Sequence, residues 1–315
     1  MVAAARTPGG TVAAGDASGT ATASAGAIAP GGPPTGPHVF YDIASLTKVA
    51  ATWPLAGRVA ACGLLDLEAP MGRYFPEASG PGAGVTTRQI LTHTSGLMAS
   101  TRLDRYRDTP TPLAEAILAE PLEDPDTHRY INRGFILLGL LLERLTGTRL
   151  DLQLTDYAEQ IGAPRITYGP MHRGPGTAPT EPRLPGGPPL WGSVHDENAA
   201  LLGGAAGHAG VFANAEGLAA YARTLLADHA RQGAFGDYVR TSWEPQVRID
   251  GTTSRGLAWL VDDTGLVHHH GFTGTSLYLD PPHGRYLVLL TNAVHHGRRR
   301  PGLTELRARA SKAFT

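Results

Sequence analysis

The sequence predicts an α/β protein of the α+β type, with an antiparallel sheet built from both chain termini, flanked by helices, and an inserted, mostly helical lobe. In the middle of the chain, apolar residues recur at intervals of three and four, as the buried face of a helix requires. From about residue 256 the apolar period changes to two, which is typical of strands. We therefore expect one domain over residues 1–315, with a sheet lobe at about 1–60 and 240–315 and a helical lobe at about 61–239.

The N-terminal part is predicted to begin with a hairpin and a loop. Residues 2–6 and 11–17 are short β-prone runs, and the Thr-Pro-Gly-Gly sequence at 7–10 between them is a turn signal. Residues 15–37 are small, polar and rich in proline and glycine, which predicts a loop or flexible linker.

The first helix is predicted from Ser45 to about Cys62, where Gly63 ends it. Pro54 lies inside this helix and should kink it, because proline removes one backbone donor. The other helices of the central part are predicted at about 86–93, 112–119, 131–146 and 215–229.

The strands of the C-terminal part follow one another closely. They are the runs LAWLVDD, LVHHHG, SLYLD and RYLVLLTN, and Pro281-Pro282-His283-Gly284 should turn the last two into a hairpin. A terminal helix is predicted at about 302–313. The long loop at 169–190 is rich in proline and glycine, and loops of this length inside a compact domain are often functional, so we expect it to wall a pocket.

Composition excludes several classes of function. The net charge is −1 and the pI is near 6.9, so nothing predicts binding to nucleic acid or to an anionic membrane surface. No stretch approaches the ~18 apolar residues of a membrane span, and no charged segment followed by an apolar run predicts a signal peptide. We therefore expect a cytoplasmic protein that does not bind membranes. The single cysteine excludes an internal disulfide, and the oligomeric state stays open.

The use of lysine identifies the first candidate site. Only two of the 27 basic residues are lysines, and one of them, Lys48, stands three residues after Ser45. A buried lysine can release its proton, whereas an arginine cannot. Both side chains lie on one face at the start of a helix, so the lysine can activate a serine hydroxyl that is otherwise a poor nucleophile. The helix N-terminus also offers free N–H groups to an oxyanion.

Two further motifs fit this chemistry. In Tyr130-Ile131-Asn132, at the start of a long apolar helix, a phenol beside an ammonium can ionise and carry the serine proton. In His269-His270-Gly271, glycine lets a ligand approach the strand backbone, where an exposed N–H can complete an oxyanion hole.

Taken in order, Ser45-x-x-Lys48, Tyr130-x-Asn132 and His269-x-Gly271 resemble the three motifs of the class C β-lactamase-like serine hydrolases. That superfamily includes class C β-lactamases, DD-peptidases, D-aminopeptidases and family VIII carboxylesterases. The resemblance covers roughly residues 38–295 and extends to segments such as ASLTKV, ILTHTSGL, GSVHDENA and GHAGVF. It implies the β-lactamase/transpeptidase-like fold. It also implies that the family's usual N-terminal helix is missing or very short, because the chain begins at what looks like the first strand.

The resemblance assigns expected roles. Ser45 would be the acylated nucleophile and Lys48 its proton-managing partner, while Tyr130 would act as general base and then as general acid. Asn132 would hold the amide or ester oxygen of the substrate. The backbone N–H groups of Ser45 and Phe272 would form the oxyanion hole.

Substrate preference depends on His269. Many family members carry lysine there, and its permanent charge recognises a substrate carboxylate, whereas a histidine with a pKa of ~6.5 is mostly neutral at pH 7. We therefore predict an esterase acting on short-chain acyl esters, with a small-molecule ester or amide as its partner. A D-amino-acid peptidase or a β-lactamase is the alternative within the family. A non-catalytic ligand-binding module is the alternative from another class, although a binder has no use for both Lys48 and Tyr130.

Other conspicuous residues have structural interpretations. Consecutive strand residues face opposite sides, so the three histidines at 268–270 cannot bind one ion, and we predict no metal and no cofactor. His93 and His208 should tie loops together through hydrogen bonds. Asp196 should cap the helix that follows it, and the arginine run at 298–300 should lie on the solvated surface.

Overall fold

A computed structural model describes residues 6–100, 102–184 and 186–314. Its main sheet has eight antiparallel strands in the order β2-β1-β11-β10-β9-β8-β7-β6, so strands from both ends of the chain are neighbours, as the sequence predicts. The strands are β1 Gly9–Gly15, β2 Thr20–Gly26, β6 Val247–Arg248, β7 Thr253–Arg255, β8 Leu260–Asp262, β9 Val267–His270, β10 Ser276–Asp280 and β11 Arg285–Thr291.

Helices lie on both faces of this sheet and fill the segment between its two halves. The helices are α1 Trp53–Ala61, α2 Thr87–Leu91, α3 Leu113–Ala119, α4 Arg133–Thr146, α5 Leu150–Gln160, α6 Glu197–Leu201, α7 Ala215–Ala230, α8 Ala234–Ser242 and α9 Leu303–Phe314. Among them, α5 and α8 were not predicted. A small three-stranded sheet, also not predicted, joins β3 Tyr41–Asp42, β4 Ile166–Tyr168 and β5 Val211–Ala213 in the order β3-β5-β4.

Strand β11 is buried on both faces. Tyr286, Val288 and Leu290 belong to the main core, where α7 packs on the sheet. Leu287 and Leu289 point to the opposite face and belong to a second apolar cluster. Helix α9 contributes Leu303, Leu306 and Ala310 to this cluster. Because both faces of β11 are covered, every position from Tyr286 to Leu290 is apolar. A strand buried on one face only would alternate apolar and polar residues.

The first hairpin differs from the prediction. The predicted strand at 2–6 lies almost wholly outside the described residues, and the predicted turn at 7–10 runs into β1. The hairpin instead joins β1 to β2 around Asp16, whose carboxylate accepts a hydrogen bond from the Ser18 N–H at 2.7 Å. The predicted linker at 15–37 is therefore wrong over β2. Its small side chains bury nothing, but pairing with β1 satisfies its backbone groups on one side.

The helical segment that carries the S-x-x-K motif changes its pitch. A 3₁₀ turn at Ala44–Leu46 is followed by a π-helical stretch at Lys48–Thr52 and then by α1. In a π-helix, residue i donates to the carbonyl of residue i−5, as Trp53 does to Lys48. Pro54 has no N–H to give the Val49 carbonyl, which instead accepts a hydrogen bond from the buried Tyr221 hydroxyl. Pro54 therefore does disturb this helix, as predicted, but the result is a change from π-helix to α-helix and not a break.

Candidate active site

Lys48 lies at the bottom of the candidate site and is fully buried. Its Nζ donates to the Ser45 Oγ at 3.0 Å, to the Asn132 Oδ1 at 2.9 Å and to the His208 carbonyl at 3.4 Å. All three ammonium hydrogens can therefore be used without a carboxylate partner. The two predicted motifs S-x-x-K and Y-x-N meet at this nitrogen.

Tyr130 lies in the loop that leads into α4, and His93 holds this loop from beneath. The His93 Nδ1 accepts from the Ile131 N–H at 3.3 Å, and its carbonyl accepts from the Arg129 N–H at 2.8 Å. The two rings of His93 and Tyr130 are 4.5 Å apart. Burial, with the cations Arg255 and Lys48 nearby, keeps the pKa of His93 well below its usual value, so the ring stays a neutral acceptor. The predicted loop-tying role of His93 is confirmed by these hydrogen bonds.

The Tyr130 phenol is surrounded by positive charge. The Lys48 Nζ is 5.0 Å from its ring centroid and the Arg255 guanidinium is 5.6 Å away. The side chain keeps 44% of its surface open to the cleft, whereas its hydroxyl lies among Lys48, Ser45 and their neighbours. Burial of the hydroxyl raises its pKa, but the Lys48 charge, hydrogen bonds to Lys48 and Ser45, and the Arg255 charge outweigh burial and lower the pKa overall.

The end of β9 and the turn after it form the opposite wall. His269 is buried, its ring lies 6.2 Å from that of Tyr130, and burial together with the charges of Arg255 and Lys48 lowers its pKa well below the usual value. Gly271 has no room for a side chain, because a Cβ would lie 2.1 Å from the Thr275 Oγ1 and 2.3 Å from the Ile43 carbonyl oxygen. Only glycine therefore fits where this turn crosses the segment that carries Ser45.

A cavity of about 270 Å³ opens between these walls. Five of the seven predicted site residues line it: Ser45, Tyr130, His269, Gly271 and Phe272. The other two, Lys48 and Asn132, are hydrogen-bonded to each other behind Ser45. Within the described part of the chain, the backbone N–H groups of Ser45 and Phe272 have no hydrogen-bond partner, so both remain free to bind an oxygen at this cavity.

Sequence reasoning missed three arginines that line the same cavity, namely Arg255, Arg300 and Arg307. Arg255 is 3% exposed, and burial lowers its pKa to about 10. Among the described residues, none of the three forms an ion pair with a carboxylate. Nearby acidic side chains pair with other arginines, namely Arg248, Arg298 and Arg309. No local pattern distinguishes these arginines from the other arginines of the sequence.

The arginine run at 298–300 corrects a prediction in part. Arg298 and Arg299 are exposed, as predicted, and Arg298 pairs with Glu181 and Glu197 at 3.1 and 2.6 Å. Arg300 is the exception, because it is only partly exposed. Arg300 donates to the Phe272 carbonyl at 2.6 Å, and its guanidinium lies 3.9 Å from the centre of the Phe272 ring.

The segment around Asp196 supports the site from one side. The Asp196 carboxylate accepts from the Ala199 N–H at 2.9 Å, which confirms the predicted cap of α6, and from the His208 ring at 2.7 Å. Burial raises the pKa of Asp196, but the bond and charge of His208 outweigh it and hold the pKa far below its usual value. Since the His208 carbonyl accepts from Lys48, this pair joins the cap to the buried lysine.

A second cavity, of about 370 Å³, lies beyond Phe272, and the loop at 169–190 walls it through Glu181, Pro182, Arg183 and Leu190, as predicted. The described residues contain no group of three histidine, cysteine or acidic side chains arranged to hold a metal ion. In residues 6–100, 102–184 and 186–314, no helix combines the length and apolar character needed to span a bilayer.

The chain is similar to known proteins in sequence and in fold. A family model described as Beta-lactamase matches residues 1–312. A protein of Escherichia coli strain K12 named "Putative D-alanyl-D-alanine carboxypeptidase" is 28% identical over 307 residues, covering 81% of this chain and 69% of that protein.

Two solved structures share the fold. One is a class C beta-lactamase from Rhodobacter sphaeroides, with a TM-score of 0.76 and 16% identity over 98% of this chain and 96% of that one. The other is a beta-lactamase/D-alanine carboxypeptidase from Pseudomonas syringae, with a TM-score of 0.79 and 15% identity over 96% and 94% of the two chains. With the family model matching nearly the whole sequence, the chain belongs to the beta-lactamase family of serine hydrolases.

Proposed function

We propose that this serine hydrolase forms an acyl-Ser45 intermediate and acts best on acyl substrates that carry a carboxylate beside the scissile bond. The relative from Escherichia coli is named as a putative D-alanyl-D-alanine carboxypeptidase. A short peptide ending in a D-amino acid is a substrate of this kind. The observation that carries the proposal is the set of three arginines without acidic partners around the Ser45 cavity.

Acylation would run through the groups that meet at Lys48. The Tyr130 oxygen takes the proton from Ser45 as the Ser45 Oγ bonds to the substrate carbonyl carbon, whose oxygen becomes an oxyanion on the N–H groups of Ser45 and Phe272. The oxyanion collapses, the bond to the leaving group breaks, and the leaving group takes the proton from Tyr130. The Lys48 ammonium stabilises the phenolate and orients Ser45 and Asn132. Asn132 binds the amide or ester oxygen of the acyl part.

Deacylation would reverse the roles. Water attacks the acyl carbon while Tyr130 takes its proton, the bond between that carbon and the Ser45 Oγ breaks, and the proton returns to Ser45. The same phenol therefore acts as base and acid in each half-reaction, which its lowered pKa favours.

The carboxylate would be held by Arg255. The Arg255 Nε faces the His128 Nε2 at 3.4 Å and its Nη1 donates to the Ala258 carbonyl at 3.1 Å, while its Nη2 has no hydrogen bond to any described residue. A buried cation without a counter-ion is unfavourable, and a bound carboxylate would supply one. The sequence interpretation looked for this charge at residue 269, which carries a neutral histidine. Arg255 supplies it from β7 instead.

Hydrolysis of short-chain esters is the second candidate, favoured by the neutral His269. The two candidates are separated by an acyl-D-alanyl-thioglycolate and its methyl ester, which differ only in the carboxylate. We expect kcat/KM at least tenfold higher for the acid, and we expect Arg255→Gln to remove most of that preference. Equal values for acid and ester, with p-nitrophenyl butyrate better than both, would establish the simple esterase instead.

A further inference from the structure

We propose that Arg307 of α9 is a positioning residue for the oxyanion hole. It would hold and polarise the peptide unit between Gly271 and Phe272, whose N–H is the expected oxyanion donor. The inference rests on the proposed function, because it concerns the oxyanion of the acylation step.

The contacts of Arg307 converge on that peptide unit. Its Nη2 donates to the Gly271 carbonyl at 2.7 Å and to the Thr275 carbonyl at 3.0 Å, while its Nε donates to the Ser276 Oγ at 3.0 Å. The Gly271 carbonyl and the Phe272 N–H belong to one planar amide. A cation on the oxygen of this amide therefore lies directly opposite the hydrogen that would bind the oxyanion.

Two physical effects follow from this arrangement. A charge-assisted hydrogen bond to the carbonyl polarises the amide and makes its N–H a stronger donor. The same bond also fixes the orientation of the amide. Without it, only the longer hydrogen bond from the Gly274 N–H would hold this carbonyl, and glycine at 271 would let the peptide tilt and turn the N–H away from the cavity. Oxyanion donors act by being in place before charge develops, so orientation matters as much as donor strength.

Neighbouring contacts hold the rest of the turn. Arg300 binds the carbonyl of the following peptide unit, that of Phe272, and packs on the Phe272 ring. The Gly274 N–H donates to the Gly271 carbonyl at 3.2 Å, and the Gly271 N–H donates to the Thr275 carbonyl at 2.8 Å. These neutral hydrogen bonds can close the turn without Arg307, so its loss should disturb the amide more than the fold.

The fork of arginine is needed for this role. One guanidinium reaches two carbonyls and a hydroxyl in a fixed plane, whereas a lysine presents a single nitrogen at the end of a flexible chain. Arg307→Lys should therefore recover only part of what Arg307→Gln loses. Arg309→Gln is the matched control, because Arg309 is on the same helix, is exposed to solvent, and among the described residues pairs with Glu305.

The experiment measures acylation of three variants with a neutral ester and with its carboxylate-bearing counterpart. For Arg307→Gln we expect kcat to fall ~10–100-fold on both substrates, less than the ~10²–10³-fold seen when an oxyanion donor is removed outright, with KM changed less than threefold. The infrared carbonyl band of the acyl-Ser45 enzyme should move to higher frequency, because the carbonyl is less polarised. For Arg307→Lys, kcat and the carbonyl band should lie between those of Arg307→Gln and the parent, and both should match the parent in Arg309→Gln.

Three outcomes would overturn the inference. They are an unchanged acyl carbonyl band, a loss confined to the carboxylate-bearing substrate, or an equal loss in Arg309→Gln. Circular dichroism checks the fold, and if Arg307→Gln does not fold, Arg307→Lys carries the same infrared comparison. A parent enzyme that gains no fluorophosphonate adduct on Ser45 would instead refute the proposed function.

Discussion

At the scale of single residues, Lys48 has a contact that the basic residues lining the cavity lack. Its Nζ donates a hydrogen bond to the Ser45 Oγ. A guanidinium in its place would be larger than the fully buried site allows, and its charge would be spread over a plane instead of lying on one nitrogen within reach of Ser45 and Asn132. We expect Lys48→Arg to reduce kcat/KM by more than tenfold, a loss above ~1.4 kcal/mol in transition-state stabilisation.

The control for this substitution is Lys312→Arg, since Lys312 is the other lysine of the sequence and is exposed on α9. It should leave ester hydrolysis unchanged. If Lys48→Arg kept more than about a tenth of the activity, the compact ammonium of Lys48 would not be needed and only its charge would matter.

The pH profile should report the ionisation of Tyr130. The phenol must be ionised to accept the serine proton, and its pKa is lowered from the usual value, so kcat/KM for a neutral ester should rise with pH and level off below the pKa of a free tyrosine, ~10. Removing a nearby cation disfavours the phenolate, so Arg255→Gln should shift this rise to higher pH. Tyr130→Phe should lose ~10²–10⁴-fold in kcat.

Arg248→Gln is the control for the pH shift, because Arg248 is exposed and paired with Asp263 at 2.6 Å. Its profile should coincide with that of the parent enzyme. A rise that stays at the same pH in Arg255→Gln would contradict the electrostatic coupling of Arg255 to the phenol.

Some site residues can be predicted from local sequence, and others only from contacts between distant parts of the chain. Ser45 and Lys48 are three positions apart on one helical segment, so their contact follows from spacing alone. Arg255 and Arg307 reach the cavity only because β7 pairs with β8, the neighbour of β9, and α9 packs on β10 and β11, which no local pattern encodes. Arginine is usually exposed at the surface of proteins, so in this arginine-rich sequence neither residue stood out as part of a site.

At the scale of elements, the helical segment before α1 depends on a hydroxyl from α7. The Val49 carbonyl, which Pro54 cannot satisfy, accepts from the buried Tyr221 hydroxyl. Tyr221→Phe should leave this carbonyl buried without a donor and lower the free energy of unfolding by ~1–3 kcal/mol. Urea denaturation of the parent and the variant measures the difference.

A second substitution tests the cause of that loss. Pro54→Ala restores an N–H that can donate to Val49, so Tyr221→Phe should be less destabilising in the Pro54→Ala background than in the parent. Equal effects of Tyr221→Phe in both backgrounds would mean that the hydroxyl and the missing amide are not linked.

Elements were predictable where the pattern was strong. Helix α4 and strands β10 and β11 lie close to their predicted positions, because long apolar runs of one period leave little choice. Strand β2 was missed because its threonine, alanine and serine side chains bury nothing and only its backbone pairing makes it a strand. Helix α8 was missed because its Gly236, Asp237 and Ser242 obscure the helical period.

At the scale of the whole molecule, the arginines around the cavity make ligand binding a source of stability. An anion that pairs with a buried guanidinium binds only the folded chain, and a ligand at 100 times its Kd stabilises a protein by about 2.7 kcal/mol. We expect N-acetyl-D-alanyl-D-alanine to raise the Tm of the Ser45→Ala variant, and its C-terminal amide to raise it much less. Equal shifts from acid and amide would contradict carboxylate recognition.

The segment after β11 completes the proposed oxyanion hole from the late part of the sequence. Ser45, Lys48 and Tyr130 leave the ribosome early, yet the turn that carries the expected oxyanion donor is held by Arg300 and Arg307, which are made near the end of the described chain. A chain released or stalled before residue 307 therefore has a nucleophile without a finished oxyanion hole. Such fragments should be much less active toward esters than the full chain, because they also lack part of the α9 side chains that cover Leu287 and Leu289.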